Sequence, residues 1–185
     1  MTLTDRVARD EERRWNKLAV TMETFHNYFK REFSQLYEVY DNARQGLIKI
    51  YSQKGKLADG SFANKGMSLQ MYLRAAENLK KHLEGHHTIE ERFIFPELAK
   101  KMPSFAEDEQ HRKSHEGIHD GLVRLSTLIR EFREEPSTYS PQRMRECFDS
   151  FKDVLMRHLD EEVEDLRGEN MKKYWTLEEL DKIPM

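Results

Sequence analysis

The sequence is poor in cysteine, proline and glycine, and it contains no long apolar run. Its 185 residues include one cysteine, five prolines and eight glycines. The lone Cys147 excludes an intramolecular disulfide and suits a reducing compartment. No stretch approaches the roughly 20 apolar residues that span a bilayer, and the charged residues 1–14 lack the apolar core of a secretory signal. We therefore expect a cytoplasmic protein with no membrane partner.

The chain also lacks a large excess of either positive or negative charge. The formal net charge is -3, and acidic and basic residues alternate along the chain without forming a basic stripe. This distribution argues against a nucleic-acid partner. Ten Phe, nine Met, seven Tyr and two Trp supply enough apolar surface for a core, which argues against disorder. At this length we expect one domain over residues 1–185 that folds without disulfide or metal staples.

Strands leave no signal, because no β-branched residues alternate with polar ones, whereas apolar residues recur at intervals of three and four. Glycines and prolines concentrate in three places and divide the chain into four long helical segments. The pattern predicts an all-α, antiparallel up-down-up-down four-helix bundle. We expect the bundle over residues 21–166, after an amino-terminal extension, and a tail of residues 167–185 that contains a short helix.

Helix ends are indicated by a few local signals. Ser104-x-x-Glu107 has capping-box form before the third helix, and Thr176-x-x-Glu179 has it before the terminal helix. Ser140 followed by proline predicts the start of the fourth helix. At about 1.5 Å rise per residue, the first segment is longer than its antiparallel neighbour, so either the first helix stops near Gly46 or the bundle end is uneven.

Histidines and carboxylates at helical spacing are what the sequence does contain. His86 precedes Glu90 by four residues, and the same spacing separates two histidines in the third segment and a histidine from a glutamate in the fourth. Residues four apart share one helix face, and here that face is the apolar one. Buried polar groups left unmatched cost about 1–3 kcal/mol each, so a metal is the expected partner. The candidate ligands are His26, His86, Glu90, His111, His115, His158 and Glu162.

Other interpretations of these residues remain open. The polar set could form a hydrogen-bonded network or line a water-filled crevice. His87 and Glu91 repeat the spacing one residue out of register, although periodicity favours His86 and Glu90. His82 and His119 lie beside the ligand face, either as exposed side chains or as hydrogen-bond partners or proton relays of the ligands.

The mixture of imidazole and carboxylate narrows the metal. It suits iron, manganese, zinc or copper, whereas calcium and magnesium prefer oxygen alone. The sequence has no cysteine pair for structural zinc. Seven ligands exceed the needs of one tetrahedral ion, so we expect two redox-active ions that share both glutamates.

Two motifs resemble those of the hemerythrin and HHE cation-binding family. They are His111-Arg-Lys-Ser-His115 and the run His86-His87-Thr-Ile-Glu90-Glu91 that precedes Pro96. The resemblance covers about residues 21–166 and implies a hemerythrin-like bundle around a non-haem di-iron centre with an oxo or hydroxo bridge. It implies one iron on His111, His115 and His158, the other on His26 and His86, and bridging by Glu90 and Glu162.

Three classes of function follow. The first is a protein that binds or senses dioxygen, or a related diatomic molecule or peroxide, or that handles iron. The second is a di-iron oxidase or oxygenase, or an enzyme that consumes peroxide or nitric oxide. The third is a structural or interaction protein that holds adventitious zinc. Manganese and zinc are the other metals we expect such a site to accept.

Overall fold

The computed structural model describes residues 3–44, 49–51, 66–106 and 110–184, most of which are helical. A π-helix, Glu90–Ile94, joins the third and fourth helices, and 3-10 turns lie at Pro103–Phe105 and Pro136–Thr138. The α-helices in chain order are α1 (Leu3–Trp15), α2 (Lys17–Arg44), α3 (Leu69–Ile89), α4 (Phe95–Leu98), α5 (Gln110–Glu134), α6 (Pro141–Asp165), α7 (Gly168–Met171) and α8 (Leu177–Leu180).

Two of the predicted helix starts are confirmed. The Ser140 hydroxyl accepts a hydrogen bond from the backbone N–H of Arg143 at 3.3 Å, one residue before α6 begins. Thr176 and Glu179 form the reciprocal capping box of α8. The third prediction is wrong for Ser104, because this residue lies in a 3-10 turn well before α5 and its side chain is bonded to Asp165 instead. Its proposed partner, Glu107, lies outside the described residues.

Helix α2 ends at Arg44, in agreement with the first of the two alternatives given by the length argument. Residues Lys49–Tyr51 and Gly66–Ser68 then form a two-stranded parallel pair, β1 and β2, with Lys49 opposite Gly66. No sequence pattern predicts these strands, because three residues are too few to show a period of two. The sequence also has a polar stretch with three glycines at Lys54–Gly66, where the family resemblance leaves room for an insertion; it lies outside the described residues except for Gly66.

The chain divides into two compact units, and each of the long helices α2, α3, α5 and α6 contributes residues to both. Unit 2 comprises residues 29–84 and 117–153. Within it, Tyr72 donates to the carbonyl of Leu36 at 3.4 Å, and His82 lies 2.9 Å from Glu32, so α2 and α3 run antiparallel. Helices α5 and α6 are also antiparallel, since Arg124 bonds to Ser150 and Glu131 to Arg143.

Unit 1 comprises residues 1–28, 85–116 and 154–185. Its core combines side chains from α1 and α2, the π-helix and α4, the end of α6 and the tail. The tail is tied to the amino-terminal extension by Lys172 Nζ, 2.8 Å from Glu12, and by the backbone N–H of Gly168, which donates to Asn16. The core residues are Trp15, Leu18, Ala19, Met22, Ile94, Phe95, Leu98, Met102, Phe105, Val163, Leu166, Met171, Leu180 and Ile183.

The predicted all-α fold is therefore confirmed, with the short strand pair as an addition. The predicted single domain over residues 1–185 stays a prediction. None of the described helices combines the length and apolarity that crossing a membrane requires.

Candidate metal centre

Unit 1 buries an unusual number of polar side chains that could ligate a metal. They come from α2, from the junction of α3 with the π-helix, from the first turns of α5 and from the last turns of α6. The side chain of His86 is 10% exposed, and its neighbours are exposed by 6% or less. Those neighbours are His26, His87, Glu90, His111, His115, His158 and Glu162.

These residues form two clusters of potential ligand atoms. In each cluster, one nitrogen or oxygen from every member lies within 4.8 Å of the corresponding atoms of the other members. Glu90 belongs to both clusters. The first contains His87, Glu90, His115 and His158, and the second contains His26, His86, Glu90 and Glu162.

In the first cluster, Nε2 of His115 lies 3.0 Å from Nε2 of His158 and 3.5 Å from Oε2 of Glu90. The ring of His87 stacks on that of His115, with centroids 3.8 Å apart and planes 12° apart. The ring of His87 also stands at 87° to that of His158. Three imidazoles and one carboxylate thus surround a single point.

The second cluster has a similar arrangement. Nε2 of His26 lies 3.1 Å from Nε2 of His86, which in turn lies 2.7 Å from Oε1 of Glu90. Oε2 of Glu162 lies 3.6 Å from Nε2 of His26 and 3.5 Å from Nε2 of His158. Glu162 therefore contacts an imidazole of each cluster.

Hydrogen bonds on the far side of two rings fix which nitrogen faces the centre. Nδ1 of His26 donates to the carbonyl of Leu159 at 2.7 Å, and Nδ1 of His115 donates to Oε1 of Glu91 at 2.7 Å. In a neutral imidazole the other nitrogen, Nε2, then carries a lone pair. Both lone pairs are directed into the clusters, as metal binding requires.

Burial opposes charge on five members of the site. It raises the pKa of Glu90 and Glu162 well above their usual 4.5, and the Glu90 carboxylate raises that of Glu162 further. Burial lowers the pKa of His86 and His115 to about 4, and it also lowers the pKa of His158. These three histidines are therefore neutral near neutral pH and supply no positive charge to balance the two carboxylates.

The residues fit metal ions. No described residue donates a hydrogen bond of ordinary geometry to the carboxylate oxygens of Glu90 or Glu162, and such buried groups are costly unless something compensates. The paired Nε2 atoms are 3.0 and 3.1 Å apart. Two nitrogens bound at right angles to one ion, each about 2.1 Å from it, would be about 3.0 Å apart.

The clusters include six of the seven ligands predicted from the sequence: His26, His86, Glu90, His115, His158 and Glu162. His111 belongs to neither cluster among the described residues. Its Nε2 lies 3.0 Å from Oδ2 of Asp165, and its ring stacks on Phe105 with centroids 4.6 Å apart. His111 as a ligand stays a prediction.

Periodicity ranked His87 and Glu91 below His86 and Glu90. In the structure His87 belongs to the first cluster, and Glu91 accepts a hydrogen bond from His115. Consecutive helix residues point about 100° apart, so the 86/90 and 87/91 pairs occupy neighbouring tracks. Both tracks face the clusters at the start of the π-helix, a kind of turn that is frequent at functional sites. The signal available in the sequence was the doubled motif itself, two histidines followed by two glutamates at the same spacing.

The remaining candidates lie elsewhere. His82 pairs with Glu32 in unit 2, its side chain 42% exposed, and His119 is exposed on α5. Cys147 is buried in unit 2, with Sγ 3.9 Å from the carbonyl of Gly121. Neither histidine belongs to a potential metal-binding cluster in the described part of the chain.

Residues 17–167 match the family described as Hemerythrin HHE cation binding domain, which is more than half of the chain. The chain belongs to this family. The chain is also 29% identical over 100 residues to the dimeric xanthone biosynthesis cluster protein R11 of Cryptosporiopsis sp. (strain 8999). That match covers 51% of this chain and 37% of the relative. No solved structure matched the chain. Family membership and the clusters together identify a helical, cation-binding type of domain.

Proposed function

We propose that the two clusters together hold a dinuclear iron centre that binds dioxygen. The observation that carries this proposal is that Glu90 belongs to both clusters, so its two oxygens can serve two ions. Glu162 supports it, because its carboxylate contacts His26 of one cluster and His158 of the other. Both glutamates thus suit the bridging role inferred from the resemblance.

The donor atoms are compatible with iron, and the spacing of the imidazole nitrogens argues against tetrahedral zinc. The two clusters contain five imidazoles and two carboxylates and no thiolate, a mixture that suits iron and manganese as well as zinc. The Nε2 separations of 3.0 and 3.1 Å match right-angle ligands. Tetrahedral zinc would place its nitrogens about 3.4 Å apart. Elemental analysis distinguishes iron from manganese and zinc.

A reduced iron pair, when bound, would supply the electrons that dioxygen takes up. The chain supplies a site from which water is largely excluded. The most exposed side chain of the two clusters, that of His86, is 10% exposed, and the others are exposed by 6% or less. The ring of Phe25 lies tilted against that of His86, with centroids 5.8 Å apart, and Phe25 is 51% exposed. We place the entrance for dioxygen, or for a related diatomic molecule or peroxide, on this side.

Binding is favoured over turnover by the balance of the ligands. Five neutral imidazoles and two carboxylates donate less negative charge than a carboxylate-rich site would. A less negative site stabilises ferrous iron and disfavours cleavage of the O–O bond. The same centre could then release dioxygen unchanged or report its presence.

The relative's name supports a second candidate. Because that protein is named for a xanthone biosynthesis cluster, the HHE domain is alternatively an oxidase or oxygenase of an organic substrate. An enzyme that consumes peroxide or nitric oxide would use the same ligands.

One experiment separates the candidates. Metal-free protein is loaded anaerobically with ferrous iron, its metal content is measured, and it is then exposed to air. We expect about two irons per chain and a visible absorption that disappears on degassing. Steady oxygen consumption with a reductant would favour the enzyme. Protein that takes up no iron, or that holds one zinc per chain as purified, would overturn both.

A further inference from the structure

His87 and His111 are two buried imidazoles that lie near the same cluster, and only one of them is placed as a ligand. We propose that His87, rather than His111, is the third imidazole of the ion bound by His115 and His158. This inference rests on the proposed function, because it needs that ion to be bound. It assigns the ligand to α3 instead of α5.

The position of His87 carries the first half of the argument. One of its ring nitrogens lies within 4.8 Å of ligand atoms from Glu90, His115 and His158. The side chain of His87 is 6% exposed, so the imidazole is buried within the site. Its ring stacks face to face on that of His115, with centroids 3.8 Å apart, so the two imidazoles pack directly against each other.

The surroundings of His111 carry the second half. Its Nε2 donates to Oδ2 of Asp165 at 3.0 Å, and the ring lies flat on Phe105, with planes 22° apart. Ser104 also bonds to Asp165. The hydrogen bond to Asp165 and the stacking on Phe105 thus occupy His111 outside both clusters of the described residues.

Moving His111 into the centre would break this pair. The Asp165 carboxylate would lose a charge-assisted hydrogen bond, and the stacking on Phe105 would be lost. His87 needs no such movement, because it already belongs to the cluster. The number of imidazoles at the site remains five with either assignment.

Matched cysteine substitutions test the assignment. His87→Cys and His111→Cys are each loaded with cobalt(II), because a thiolate bound to cobalt gives a strong near-ultraviolet charge-transfer absorption. We expect this absorption in His87→Cys and not in His111→Cys. Wild type, whose Cys147 lies in unit 2, gives the background.

Glutamine variants supply a second measurement. His111→Gln should retain about two cobalt ions per chain, whereas His87→Gln should fall to about one. Circular dichroism of both variants checks that they fold. Thiolate absorption in His111→Cys alone, or loss of an ion in His111→Gln alone, would overturn the inference. Wild type that binds no cobalt, iron, manganese or zinc would instead refute the proposed function.

Discussion

Nδ1 of His115 donates a hydrogen bond to Oε1 of Glu91 at 2.7 Å, so a half-exposed carboxylate fixes the orientation of a buried imidazole. The bond keeps the proton on Nδ1 and makes Nε2 a better donor to a metal. A carboxylate behind a ligating histidine commonly has this effect.

Glu91→Gln should therefore weaken metal binding about 10- to 100-fold without removing any ligand. Titration of the metal-free protein with ferrous iron or cobalt(II) measures the change. Glu97→Gln is the matched control, because the Glu97 carboxylate contacts only the exposed Lys100 among the bonds described, at 2.5 Å. Equal affinities of the two variants would show that Glu91 does not act on the site.

Glu162→Gln should separate stability from metal binding. Because burial raises the pKa of Glu162, the folded metal-free protein resists its ionisation, and a neutral isostere removes that cost. We expect the metal-free variant to unfold at higher urea concentration, with a gain of about 1 kcal/mol or more, and to bind less metal.

A control for this prediction lies two residues further along α6. Glu164 is 66% exposed and pairs with Arg167, so Glu164→Gln should change the free energy of unfolding by less than about 0.5 kcal/mol and leave metal content unchanged. A metal-free Glu162→Gln protein that is less stable than wild type would contradict the explanation.

In metal-free protein, the buried histidines should contribute a loss of stability as the pH falls from about 6.5 towards 4. Burial lowers the pKa of His86 and His115 to about 4, from a usual value of 6.5, so between those values these two imidazoles bind protons in the unfolded chain and not in the folded one. Glu90 and Glu162 contribute with the opposite sign, because burial raises their pKa values. Urea denaturation of wild type and His86→Gln isolates the histidine contribution, and we expect the variant to gain stability relative to wild type as the pH falls through this range. His119→Gln, altered on an exposed face, should keep the wild-type slope.

Gly121 should not tolerate a side chain. A Cβ atom at this position would lie 2.4 Å from the ring of Phe151 and 2.6 Å from its Cβ, so the ring cannot simply rotate away. Gly121→Ala should cost about 1–3 kcal/mol of unfolding free energy. Gly85→Ala, where the new atom meets nothing within 4 Å, should instead stabilise the helix by about 0.5–1 kcal/mol. Thermal denaturation of both variants compares the signs.

Cys147 should react slowly with iodoacetamide in the native protein. Burial raises the pKa of its thiol to about 11, and the side chain is 6% exposed. We expect modification at least about 100-fold slower than in urea, where the thiolate forms freely. Ser137→Cys, on an exposed turn, provides a fast-reacting thiol in the same chain. Native rates that are equal at the two positions would contradict the burial.

Six residues of the two clusters could be predicted from the sequence because each continues an apolar face at a spacing of three or four. His87 was ranked below His86, because periodicity assigns one track of α3 to the core, whereas the clusters draw on two neighbouring tracks. The position of His111 depends on Asp165 and Phe105, which are distant in the sequence and carry no spacing signal.

In the fold as well, features with a local sequence signal could be predicted, and features without one could not. Helix α6 and the α8 capping box followed from Ser140 and from Thr176 with Glu179, since these signals are local. Ser104 is a serine like Ser140 but does not cap a helix, because its side chain bonds to Asp165, which is distant in the sequence. The strand pair was missed because each of its strands has three residues, which is too short to show a period of two.

Unit 1 contains the last residues of the chain to be synthesised, whereas unit 2 does not. All residues of unit 2 have been made once Asp153 is added, whereas unit 1 still lacks residues 154–185. Helices can form on the ribosome as they emerge. His158 and Glu162 belong to this last segment, so neither ligand cluster is complete before it has been translated. A nascent chain therefore cannot bind a metal ion in a complete cluster until the carboxyl-terminal part of α6 has been made.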